Sequence, residues 1–321
     1  MRFLIKSGFS LTFAFCLFTF AFFAFAQGDR NGSHTVAPRE SFTMAERAMV
    51  ERAMGAVCSE RLNDPFGSVP IDEMQARPSL PVGHADAVAG ARRAERLLPV
   101  AREMVIAALR QLSKEYRTDP QKARTVALRV QAVTKVKPDM DARDNASVYL
   151  REPHTINFGT IFLAGLRSDE GMISVIAHEL THIADGRDDA LHPLFRLIGA
   201  RAVARTGLRI AGQRSEELTC DLVGAMVTQS FIERKPSAEK AARRLARAIE
   251  HNCVDEDEAD DDHLSPRNTM RALLALDSTL VRDLVGSEES STPSQNISDR
   301  EPTLLSLLTI KRAPSYHHRL R

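Results

Sequence analysis

Two histidines four residues apart, in His178-Glu179-Leu180-Thr181-His182, are where this 321-residue chain most directly implies chemistry. Positions i and i+4 of a helix lie on one face, so both imidazoles can reach a single ion. Glu179 lies about 100° round the helix from His178. It can approach an attacking water as general base without itself becoming a ligand. Catalytic zinc takes three protein ligands and keeps one position open. A third ligand is offered 35 residues beyond His182 by Glu217-Leu218-Thr219-Cys220-Asp221. Glu217 and Asp221 share a helix face, so one can bind metal while the other orients a ligand histidine. The residues around them (Leu218, Leu222, Val223, Ala225, Met226, Val227) are apolar. A carboxylate buried there needs a partner, and zinc would be that partner.

The elements that must position these groups are mostly helical. Ser168 reads as the cap of a helix with Ile173, Ile176, Ala177, Leu180 and Ile183 as its apolar stripe. Leu191 to Ile210, Glu216 to Glu233, residues 237–251 and Thr269 to Val285 read as further helices. Upstream, Met44 to Leu62 is helical in pattern, and Pro65, Pro70, Pro78 and Pro81 make Asp64 to Gly83 a loop. Ala85 to Tyr116 is helical again, with Pro99 forcing a break or a new first turn. Three segments read as strands: the alternation of Val126, Leu128 and Val130, then Ser147 to Leu150, then Thr155 to Leu163. Residues 27–40 read as a flexible leader, and Ser287 to Pro302, rich in Ser, Pro and Glu, as disordered.

Arg2 and Lys6 precede an uncharged apolar run, Phe9 to Phe25, and Ala24-Phe25-Ala26 offers a cleavage site before Gln27. Residues 1–26 are therefore expected to be a signal peptide, which places the body of the chain in the periplasm or outside the cell. If the segment were retained it would bring membrane contact. Cys58, Cys220 and Cys253 then remain, an odd number, compatible with one disulfide and a spare thiol or with none. A formal charge of +1 implies no nucleic-acid partner.

In chain order, Asn145-Ala146, Gly159 to Leu166, Ile176 to His182, Arg214 to Ala225 and His263 to Leu273 resemble gluzincin zinc metallopeptidases of the HtpX and CAAX-prenyl-protease type, particularly their soluble exported members. The resemblance spans about residues 125–280. It implies an α+β, mostly helical, zincin-like fold with a small mixed sheet and an active-site helix. A metallopeptidase domain at 121–286 would follow a helical segment at 41–120 and precede a basic tail at 287–321. It implies one zinc ion per chain held by His178, His182 and Glu217, the register selecting Glu217 over Glu216. Glu179 would be the base, and Asp221 would stand behind a ligand histidine. Gly159 to Leu166 corresponds to the family's edge strand and turn. Arg271, with His263 a weaker candidate, would stabilise the oxyanion. The substrate would be a polypeptide, in particular envelope proteins, lying extended against Thr155 to Leu163. The chain departs from the family at Cys220, where Ala is usual, and at Leu264, where Pro is usual. The alternative function is an envelope chaperone-like binding factor with latent proteolysis, which would have no need of Glu179. A zinc hydrolase of non-peptide amides fits the ligands but not the edge strand.

Overall fold

The computed structural model describes residues 42–59, 78–143, 145–149, 151–166, 168–249 and 262–289. The expected signal peptide and leader, residues 64–77 of the proline-rich loop, Cys253 and the tail beyond residue 289 lie outside them. Among the described residues, ten helices of four residues or more and three strands follow one another in a single compact unit that begins at Phe42. They are α1 (Met44–Ser59), α2 (Ala85–Glu115), α3 (Pro120–Ala132), β1 (Lys135–Asp139), β2 (Ala146–Val148), β3 (Thr155–Gly159) and α4 (Thr160–Gly165). After these come α5 (Asp169–Asp185), α6 (His192–Thr206), α7 (Gln213–Arg234), α8 (Ala241–Ile249), α9 (Pro266–Leu276) and α10 (Ser278–Glu289). The fold is α+β, mostly helical, with a small mixed sheet. None of the described helices is long and apolar enough to cross a membrane.

Helix α5 carries the two spaced histidines, and local chemistry fixes both of its ends. The Ser168 hydroxyl accepts from the Gly171 N–H at 3.0 Å, and Asp169 and Glu170 place negative charge at the positive end of the helix dipole. Each of these carboxylates also ties another element to the helix. Asp169 pairs with Arg96 of α2 and with Lys235 just beyond α7, both at 2.8 Å. Glu170 accepts from the buried Arg244 of α8 at 2.8 Å. At the other end Gly186 takes φ 68°, a conformation that terminates a helix without strain in glycine. Arg129 of α3 donates to the terminal carbonyls of Ala184 and Asp185 at 3.2 and 2.7 Å.

Helices α5 and α7 pack against each other, and Ile176, Leu180, Cys220 and Val223 are fully buried. A β-carbon on Gly224 would meet the Ser174 carbonyl at 3.1 Å, so glycine lets the two backbones approach closely. The long α2 covers α5 from another side with Leu97, Leu98, Ala101, Met104 and Val105. A second apolar cluster joins α1 (Val50, Met54, Val57) to α9 and α10 (Met270, Leu274, Leu280).

Several sequence expectations are corrected here. Val126 to Val130 is not a strand but part of α3. Asp119 caps that helix by accepting from the Gln121 N–H at 2.9 Å, and Pro120 occupies the first turn. Val126, Ala127 and Val130 share the buried face, while Leu128 projects to solvent. Helix α2 runs unbroken through Pro99. Pro99 and Glu95, whose carbonyl loses its usual donor, are both on the exposed face, where water can replace the bond. Thr155 to Leu163 is neither one strand nor an edge. The strand ends at Gly159, Thr160–Gly165 is helical, and β3 lies in the middle of the order β1-β3-β2. β1 pairs with it in parallel and β2 antiparallel. Its backbone is therefore committed on both sides, and a substrate cannot add to it. Thr269 to Val285 is two helices, broken at Asp277, whose carboxylate accepts from the Thr279 N–H at 2.8 Å. The segment read as disordered from Ser287 is still helical to Glu289.

Candidate metal centre

His178 and His182 project from one face of α5 towards α7, and both imidazoles are largely buried. The Nδ1 atom of His178 lies 2.8 Å from Asp221 Oδ1. The Nδ1 atom of His182 lies 3.0 Å from Glu216 Oε1. In the neutral tautomer that donates Nδ1–H outward to its carboxylate, each ring turns an Nε2 lone pair inward. The two Nε2 atoms are 3.1 Å apart. Glu217, 5% exposed, closes the triangle. Its Oε2 is 3.3 Å from His178 Nε2 and its Oε1 is 3.6 Å from His182 Nε2. Two such lone pairs and a carboxylate converging out of water repel one another unless a proton or a metal cation sits among them.

The electrostatics of the protein alone express that demand. Burial opposes the ionisation of Glu217. The His182 charge and the hydrogen bonds from His178, His182 and His263 outweigh it and hold the carboxyl well below its ordinary range. Burial likewise opposes protonation of His182, but the Cys220 sulfur and the Glu217 and Glu216 carboxylates hold its pKa well above the usual imidazole value. Burial pushes the Cys220 thiol up to about 12, so at neutral pH it is uncharged. The two carboxylates therefore supply the field felt by His182.

His178, His182 and Cys220 form a group able to hold a metal ion, with donor atoms within 4.8 Å of one another. The Cys220 sulfur lies 3.7 Å from His182 Nδ1, the nitrogen already engaged by Glu216. The set of His178 Nε2, His182 Nε2 and Glu217 is tighter and needs no thiol to ionise. Donors about 2.05 Å from a tetrahedral ion are about 3.3 Å apart, and the separations of 3.1, 3.3 and 3.6 Å, the last two to different oxygens of Glu217, lie near that value. Both sets contain the two histidines; geometry favours Glu217 as the third member.

Glu179, next to His178, is buried and takes no hydrogen bond or ion pair from another described residue. Its carboxylate is thus not consumed by the fold. Arg271 is not brought to the cluster. Its guanidinium pairs with Glu51 of α1 at 3.1 Å and with Asn268 at 3.2 Å. His263 is brought there instead, its Nε2 lying 3.4 Å from Glu217 Oε2. Cys220 is a free, buried thiol. The partner of His182, Glu216, is a role that reading the sequence missed. The signal was present in adjacent glutamates, since neighbours about 100° apart on α7 can face two different rings.

Compared with known protein families, with curated proteins and with solved structures, the chain matches none.

Proposed function

We propose that the protein is a zinc-dependent endopeptidase of the gluzincin type with a zincin-like fold, acting on polypeptides after export. The observation that carries this reading is the convergence of His178 Nε2, His182 Nε2 and the Glu217 carboxylate, with a second carboxylate behind each ring. Bound zinc would supply Lewis acidity, polarising the scissile carbonyl and acidifying water.

The protein's own residues do the rest. Asp221 and Glu216 hold the histidine tautomers and ring planes. Glu179 receives the proton of the attacking water and passes it to the leaving amine. His263, whose Nε2 faces Glu217 Oε2 at 3.4 Å, would exchange that contact for a hydrogen bond to the carbonyl oxygen as charge develops on it. The substrate main chain would add to β2, which packs on α5 and has no strand on its outer side among the described residues.

Metal analysis and a degradation assay on one preparation test this. The expected result is about one zinc per chain and chelator-sensitive cleavage of an unfolded protein such as casein. Glu179→Gln should retain the metal and lose roughly 10²- to 10⁴-fold of the activity, the range of a general base. Zinc-loaded Glu179→Gln cleaving within a factor of about ten of wild type would refute the mechanism.

A further inference from the structure

A cavity of about 270 Å³ opens between the second half of α2, the start of α3 and the segment leading into α6. Its walls are apolar, built from Ile106, Leu109, Val126, Leu191 and Leu194. Leu197, 44% exposed, also lines it and meets solvent. Three cations, Arg110, Arg117 and Lys122, border it, and none forms an ion pair with another described residue. The one carboxylate among the lining residues, Asp119, is engaged in capping α3 through Oδ1.

Arg117 is placed against its backbone preference. It follows the last residues of α2 at φ 51°, and the Thr118 N–H closes the turn on Ser113 O at 3.0 Å. This is the left-handed position that glycine ordinarily fills after a helix. A strained arginine there costs stability, and strain of this kind clusters where a side chain has a task.

We propose that this cavity binds a single-chain amphiphile with an anionic head, a fatty-acid carboxylate or an alkyl phosphate. The apolar walls take the chain, and the three bordering cations take the head. At roughly 30 Å³ per group, the volume of one water in the liquid, the cavity holds about nine methylene-sized groups. The site is separate from the metal centre and does not rest on its assignment.

Calorimetric titration of the full chain with monomeric amphiphiles tests the proposal. Dodecanoate and dodecyl phosphate should bind one to one, and inorganic phosphate alone should give no measurable heat. Octanoate should bind at least about tenfold more weakly than decanoate, since two methylenes leave the apolar wall. Dodecyltrimethylammonium, with the same chain and the opposite charge, should bind at least about tenfold more weakly than dodecanoate. Arg117→Gly is the discriminating variant. It relieves the backbone and so keeps or raises Tm, yet it should weaken the anionic ligands by about threefold to fivefold, the scale of one solvent-exposed ion pair. Equal affinity for the cationic and anionic ligands would overturn the proposal, as would an unchanged dodecanoate affinity in Arg117→Gly. Binding to phosphatidylglycerol vesicles without binding of monomeric dodecanoate would also overturn it, because the surface would then be a membrane-docking face.

Discussion

Asp221→Asn should weaken metal binding by about tenfold and Glu216→Gln by about threefold, in that order. Both carboxylates accept an Nδ1–H from a candidate ligand histidine. Asp221 does so at 2.8 Å with its side chain 14% exposed, and Glu216 at 3.0 Å with its side chain 30% exposed. A hydrogen bond to a charged acceptor contributes about 1.5–3 kcal/mol, and one between neutral groups about 0.5–1.5 kcal/mol. Each amide keeps an oxygen in place, so the loss is the difference, about 1–1.5 kcal/mol for the better buried Asp221. That is close to tenfold in affinity. Water screens Glu216 more, which brings its effect to roughly half as much in free energy. Competition with a chromogenic chelator at pH 7.5 measures both constants, and circular dichroism checks that the helices persist. Equal affinities in wild type and Asp221→Asn would remove Asp221 from the site. A larger effect at Glu216 would refute the ranking by burial and distance.

Two further outcomes follow from the same geometry. Glu217→Gln should lose most metal affinity while Cys220→Ala retains it within about threefold, as expected if the thiol only packs behind His182; loss of metal in Cys220→Ala would make the thiol the third ligand. Asp185→Asn should stabilise the protein at pH 8 but not at pH 4.5. Burial, opposed by the hydrogen bond from Leu191 and reinforced by Glu216 and Asp189, raises the Asp185 pKa to about 6. A raised carboxyl binds more protons folded than unfolded between its ordinary value and about 6, so its penalty grows as pH rises through that window and is complete above it. Discounted for solvent screening, the gain is about 1 kcal/mol, or about 2–4 °C in Tm. A gain of the same size at both pH values would show that charge is not its cause.

The resemblance suggests the ligands and puts Asp221 behind one histidine, but it does not say which histidine, nor what stands behind the other. Glu216 entered only as a rival to Glu217, because one helix projection cannot show which ring faces which carboxylate. That depends on how closely α5 and α7 approach, which Gly224 permits. Arg271 was assigned to the site from a motif, yet it meets Glu51, 220 residues earlier, across the α1–α9 contact. His263, with weaker motif support, reaches Glu217.

The sequence by itself determined what acts over a few residues. The i, i+4 histidines, the Ser168 cap and the glycine after Asp185 define α5, because helix geometry and end chemistry are local. Tertiary packing decided the rest. The Val126 to Val130 alternation yields to a helix because Val126, Ala127 and Val130 find a buried face beside α2. α2 passes through Pro99 because burial on its opposite face outweighs one missing bond on the wet side. Strand β3 is central rather than an edge because β1 and β2, distant from it by different lengths of chain, both pair with it. The candidate metal centre is of the second kind. Residues from α5, α7 and the segment before α9 converge only when the core between those elements has formed.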